Sequence, residues 1–163
     1  MEPVVHVRGK VALVSGAAQG IGAACARMLA AQGARLLVAD IDLAGARAVA
    51  DDIAREGGIA EAVALDVTRE ADWRAAVAAA IDHHGGLDVL VNNAGIALVQ
   101  ALADTSLEQW RQVHAVNLDG VFLGTREAVT AMRPGGRAGG GGSIVNISAV
   151  GGLIGSERLT AYC

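Results

Sequence analysis

The stretch Ser15-Gly16-Ala17-Ala18-Gln19-Gly20-Ile21-Gly22 constrains the chain more than any other. Ahead of it lies Val11-Ala12-Leu13-Val14, an apolar run with the character of a buried strand. Behind it, apolar residues recur at helical spacing at Ile21, Cys25, Met28 and Leu29, up to Gln32-Gly33. A strand that turns through glycines into a helix leaves the first-turn N–H groups unpaired, with a partial positive charge, which is a phosphate-binding arrangement. Gly16 allows the tight turn, Gly20 lets the backbone approach a pyrophosphate, and Gly22 lets the helix pack on the strand. The spacing is G-x-x-x-G-x-G rather than the commoner G-x-G-x-x-G. In a chain with 22 glycines it also suits an ordinary strand–helix turn. The residues that follow decide between the two.

Arg35-Leu36-Leu37-Val38-Ala39 reads as a second strand with Asp40 at its end, twenty-four positions after Gly16. An acidic residue there is placed to accept hydrogen bonds from an adenosine ribose, and it repels the 2′-phosphate of NADP. No Arg or Lys offsets that repulsion at Ala17, Ala18, Gln19 or Ile41, so NAD is the expected cofactor. Asp42 caps a second helix with Ala46, Val49, Ala50 and Ile53 inward, ending at Gly57-Gly58. A third strand near Ala62-Val63-Ala64-Leu65 leads to Asp66-Val67, after which Thr68 is expected to cap a helix with Trp73, Val77, Ala80 and Ile81 inward. His83 and His84 end that helix; as neighbours they point to different faces, and neither His6 nor His114 has a ligand-spaced partner, so no metal site is expected.

Leu87-Asp88-Val89-Leu90-Val91 is a fourth strand running into Asn92-Asn93-Ala94-Gly95. Ser106 and Gln109 form a capping box for one long helix with Trp110, Val113, Val121 and Val129 inward, interrupted by Asn117. Pro134-Gly135-Gly136 closes it, and a glycine-rich connection delivers the fifth strand, Ile144-Val145-Asn146-Ile147, followed by Ser148. Alternating strands and helices predict an α/β Rossmann-like fold: a doubly wound parallel sheet with helices on both faces and ligand at the carboxyl ends of the strands.

The bulk properties agree with one domain over 1–163. A hydrophobic content of 53% with only 2% aromatic residues builds the core from Ala, Val, Leu and Ile. A net charge of −4 offers no basic field for nucleic acid or anionic lipid. The uncharged run from Ala138 to Ser156 contains seven glycines and Asn146, which argues against a membrane span. The start, Met1 to Arg8, lacks a long apolar segment, and Cys25 and Cys163 form no disulfide framework, so a cytoplasmic location is expected.

Taken in order, Gly16-x-x-x-Gly20-Ile21-Gly22, Asp40, Asp66-Val67, Asn92-Asn93-Ala94-Gly95, Asn117, Ser148 and Tyr162 resemble the short-chain dehydrogenase/reductase family of the single-domain type, over residues 8–163. Ser15 stands where that family more often has Thr and keeps the hydroxyl. The resemblance implies that Asp66 and Val67 bracket the adenine and that Asn93, with Ala94 and Gly95, packs beside the cofactor. It also implies that Ser148 bonds the substrate oxygen, Tyr162 is the general acid/base, and Asn117 holds a water in a proton relay. Family members usually assemble as dimers or tetramers through long helices, so a homo-oligomer is expected.

The implied reaction is NAD-dependent interconversion of a secondary alcohol and a ketone. The uncharged Ser148–Gly155 segment favours an apolar, cyclic or steroid-like small molecule. A 3-oxoacyl-[carrier-protein] reductase is the alternative, and a non-catalytic dinucleotide-binding fragment is an alternative of another class. A free tyrosine has a pKa of about 10, so a phenolate base at neutral pH needs on the order of 4 kcal/mol of stabilisation. The family draws this from a lysine four residues after the tyrosine. Cys163 is the last residue, so the chain reads as the N-terminal part of such an enzyme, and on its own it is expected to bind dinucleotide without turnover.

Overall fold

The computed structural model describes residues 7–163; the Met1–His6 segment, including the histidine considered above, lies outside the described residues. Five strands form one sheet in the order β3-β2-β1-β4-β5. They are β1 (Val11–Ser15), β2 (Arg35–Asp40), β3 (Ile59–Ala64), β4 (Val89–Asn92) and β5 (Ser143–Asn146). Every pairing is parallel. The chain winds outward from β1 to β3 and then crosses back to β4, so its direction of travel reverses between β1 and β4, where such sheets open a crevice.

The central strands are apolar without alternation because both faces are covered. Helices α1 (Gly20–Ala31) and α2 (Leu43–Arg55) bury Ala12, Val14, Leu36 and Val38 on one face. Helices α3 (Glu70–His84) and α5 (Gly120–Met132) bury Val11, Leu13, Leu37 and Leu90 on the other. At the base of the sheet, Asp88 joins β4 to β1, accepting from Lys10 Nζ at 2.8 Å and from the Val11 N–H at 2.9 Å. Burial alone would raise this carboxyl's pKa, but the Lys10 hydrogen bond, the Val11 N–H and the ammonium charge together hold it below the usual carboxylate value.

Several local expectations change. Helix α1 meets the sheet through Gly22, Ala23, Ala26 and Ala30, while Ile21 and Met28 are 64% and 66% exposed. The period was right and the phase wrong by about one residue, roughly 100° of helix. Small side chains bring this helix backbone close to β1; of the residues expected inward, Cys25 and Leu29 pack partly buried at the edge of that core, and only Ile21 and Met28 are left outside. Helix α2 is as expected: Asp42 accepts from the Gly45 N–H at 3.0 Å, and Ala46, Val49, Ala50 and Ile53 are buried. Strand β3 begins earlier than expected, because it pairs with all of β2 from Arg35↔Ile59 to Asp40↔Ala64.

Thr68 does not cap α3. Its N–H and Oγ1 both donate to Asp66 Oδ1, at 3.0 and 2.7 Å, closing the turn before the helix. His83 and His84 do not diverge either, since both rings approach the Glu61 carboxylate, with Nδ1 at 2.9 Å and Nε2 at 3.3 Å. The Ser106/Gln109 capping box is present at the start of α4 (Leu107–His114). The long helix then passes through a π-helical turn, Ala115–Asp119, before α5. That turn shifts the phase, so a single period cannot run from Trp110 to Val129. Val113 is buried, Val121 is half-buried, and Trp110 and Val129 face outward. Among the described residues, no helix is long and apolar enough to cross a membrane.

Candidate active site

The two strands that flank the crevice are tied together by Ser15 and Asn93. Ser15 Oγ is buried; it accepts from the N–H groups of Asn93 (3.1 Å) and Ala94 (3.2 Å) and donates to the Val91 carbonyl (3.4 Å). Asn93 returns the link, with Nδ2 donating to the carbonyls of Ser15 and Gly16 at 3.0 Å each. These bonds leave no room for a side chain at Gly16 or Gly22. A Cβ on Gly16, which has φ +65°, would lie 2.7 Å from Ala94 Cα. A Cβ on Gly22 would run into the Gly16 carbonyl and come within 2.5 Å of Asn93 Nδ2.

Gly20 behaves differently. It has φ +57° and open space where a Cβ would stand. Gln19, the N-cap of α1, makes no capping bond with its side chain, and no acidic residue occupies the first turn. The positive end of α1 therefore carries no acidic residue of its own first turn to neutralise it. At the end of β2, Asp40 Oδ2 accepts from the Ala18 N–H and Oδ1 from the Asp42 N–H, both at 2.9 Å. Its carboxylate is thus held in place beside the turn.

Two clefts open from this framework. The first, about 440 Å³, is bounded by Gly16 and Gln19, by Asp40 and Ile41, by Leu65, Asp66 and Val67, and by Gln112 and Val116 of the α4–α5 helix. The second, about 430 Å³, is bounded by Ile21, by Asn117 and Val121, and by Ile147, Ser148, Ala149, Gly152 and Tyr162. They share one wall, Asn93-Ala94-Gly95-Ile96. Among the described residues, the first carries two carboxylates and no cationic side chain, and no charged side chain lines the second.

The residues singled out in the sequence fall into this arrangement as two groups. Asp40 and Asp66 lie at one cleft, and Ser148 and Tyr162 at the other. Tyr162 packs over Gly151, where a Cβ would lie 3.2 Å from its ring. Its segment is pinned by the Gln100 N–H, which donates to the Arg158 carbonyl at 2.7 Å. The side chain of Asn117 is already engaged: Oδ1 accepts from the Ile96 N–H at 2.9 Å and Nδ2 donates to the Ile96 carbonyl at 2.8 Å. Both side-chain groups clamp the shared wall. Gln112 and Val116 carry no role in the sequence reading, although the four-residue step between them is legible, and Val121 is expected there only as an inward-facing helix residue. The π turn Ala115–Asp119, which contains Val116 and sets the phase of Val121, is not legible there.

Comparison with known proteins gives the same arrangement a lineage. Residues 10–163 match the family described as short chain dehydrogenase. The chain is 46% identical to the trans-4-hydroxycyclohexanecarboxylate dehydrogenase of Sinomonas cyclohexanicum, covering 96% of this chain and 61% of that protein. It is also 46% identical to the 3-alpha-(or 20-beta)-hydroxysteroid dehydrogenase of Mycobacterium bovis, covering 94% of this chain and 56% of the relative. A crystal structure of a short-chain type dehydrogenase/reductase from Mycobacterium marinum superposes with a TM-score of 0.91 at 36% identity, over 96% of this chain and 63% of that one. The chain thus spans about three-fifths of the length of these proteins. With its parallel sheet, glycine turn and paired clefts, it belongs to the short-chain dehydrogenase family.

Proposed function

We propose that the protein is an NAD-dependent oxidoreductase that interconverts a secondary alcohol and a ketone, with an apolar cyclic or steroid-like substrate. The observation that carries this reading is the pair of clefts joined along Asn93–Ile96, one beside Asp40 and Asp66 and the other beside Ser148 and Tyr162. A dinucleotide needs two such compartments with a phosphate site between them, and the open space at Gly20 with the uncapped start of α1 suits that third part.

In this reading the ADP portion lies in the first cleft. The fixed Asp40 carboxylate accepts from the ribose hydroxyls, and its charge, with no cation on the lining, disfavours a 2′-phosphate. Asp66 and Val67 flank the adenine, while Gln19, Ile21 and Ile41 border the cofactor's path. The nicotinamide supplies hydride transfer when bound. Ser148 hydrogen-bonds the substrate oxygen, and Tyr162 moves the proton on or off it. Asn117 acts through its two bonds to Ile96, keeping the wall between the clefts in place.

The relatives named for a hydroxycyclohexane acid and for hydroxysteroids support a cyclic substrate, as does the uncharged second cleft. The outward apolar row of Leu118 and Phe122, 62% and 60% exposed, and Val129 supports a homo-oligomer, and we place the protein in the cytoplasm. Residues 1–163 taken alone should bind dinucleotide without turnover, because among the described residues no cationic side chain lines the cleft around Tyr162.

The test is NADH formation by the full-length protein with cyclohexanols and hydroxysteroids. Tyr162→Phe should lower kcat by about 10²–10⁴ while NAD affinity, measured by calorimetry, stays within about twofold. Full activity in the Phe variant would mean that another group moves the proton.

A further inference from the structure

Gln112 has no part in the roles above, yet it stands on the wall of the first cleft together with Asp66 and Val67. The other two glutamines around α4 are engaged: Gln100 Nε2 donates to the Asp104 carbonyl, and Gln109 serves the capping box and bonds Gln100. The Gln112 side chain is exposed and bonds to no other described residue. It precedes Val116 by one helical turn, so the pair presents one face of the helix to the cleft. Asp66 uses Oδ1 for Thr68, which leaves Oδ2 free as an acceptor in the same cleft.

A 6-aminopurine offers an amino group with two N–H donors beside the N7 acceptor. One N–H suits the Asp66 carboxylate. The other, with N7, suits a glutamine amide that accepts through Oε1 and donates through Nε2, the pairing glutamine makes with adenine in a DNA groove. A 6-oxopurine presents two adjacent acceptors to the same amide, which then satisfies only one of them, and it sets its carbonyl oxygen against the carboxylate. We propose that Gln112 is a base-specificity residue that selects a 6-amino over a 6-oxo purine in the dinucleotide. This rests on the reading that the first cleft takes the ADP portion.

The experiment titrates NAD and nicotinamide hypoxanthine dinucleotide, which differ only at the purine 6-position, into the full-length protein by calorimetry. The wild type should prefer NAD. In Gln112→Leu, which keeps the bulk and loses both hydrogen bonds, the Kd for NAD should rise about tenfold while that for the hypoxanthine analogue changes less than about twofold. Gln112→Glu keeps the acceptor and loses the donor to N7, so it too should weaken NAD. NAD binding with an unaltered preference in the Leu variant would overturn the role of Gln112 and leave the proposed function standing. No NAD binding by the wild type would overturn both.

Discussion

Gly22→Ala sets two effects against each other, and their magnitudes decide the sign. Inside a helix, alanine is more favourable than glycine by about 0.8–1.0 kcal/mol, so propensity alone predicts a more stable protein. The new methyl group, however, would run into the Gly16 carbonyl and press on Asn93 Nδ2 at 2.5 Å. Overpacking against backbone costs about 1–3 kcal/mol. Displacing the Asn93 amide also weakens its bonds to the Ser15 and Gly16 carbonyls, each worth about 0.5–1.5 kcal/mol. The steric and hydrogen-bond losses exceed the helix gain, leaving a net loss of about 2 kcal/mol. For a domain of this size that lowers Tm by roughly 4–8 °C. Thermal and urea unfolding of the full-length protein would measure it. An unchanged or higher Tm would refute the account of how α1 meets the switch point. NAD affinity should fall in the same variant, because α1 can relieve the overlap only by moving its start away from Gly16.

Other perturbations separate the parts of the site. Gly20→Ala meets no neighbour, so it should cost only the roughly 1–2 kcal/mol of left-handed strain, yet weaken NAD binding measurably by calorimetry. Asp40→Asn with Ile41→Arg should shift the ratio of kcat/KM from NAD toward NADP. Asn keeps one of the two backbone N–H bonds that Asp40 accepts, through Oδ1, while removing the charge, and Ile41 faces solvent, where an Arg fits. Asp88 has a lowered pKa in the fold, so its contribution is present above the ordinary carboxylate value and lost as pH falls through the lowered one. Asp88→Asn should therefore be less stable than wild type at neutral pH, with the gap closing below about pH 4 in urea titrations. Phe122→Glu should reduce the assembly state seen by sedimentation, since it charges the outward apolar row of α5.

The parts of this protein that were legible in the sequence are those where one residue does one job. The glycine turn, the Asp42 cap, the Ser106/Gln109 box and the succession of apolar strands and amphipathic helices each carry a local signature, and the sheet follows from their order. The illegible parts arise where two elements negotiate. Helix α1 has two apolar faces of similar strength, and close approach to β1 selects the one made of alanines, which no hydropathy pattern reveals. The π turn at Ala115–Asp119 adds a residue to one turn and rotates everything after it, so a regular period misplaces Val129. Thr68 looked like a cap because an Asx turn and an N-cap use the same residue types. Asn117 stood out as an unusual helical residue, but its partner, the backbone of Ile96, is distant in sequence and was visible only in the fold.

One dinucleotide should span the two clefts in a fixed sense. The most direct measurement is a crystal structure of the full-length protein with NAD. The adenosine ribose hydroxyls should lie within hydrogen-bonding distance of Asp40, the pyrophosphate at the start of α1 over Gly20, and the nicotinamide facing Ser148 and Tyr162. A dinucleotide lying in the opposite sense, or outside the clefts that share Asn93–Ile96, would contradict it.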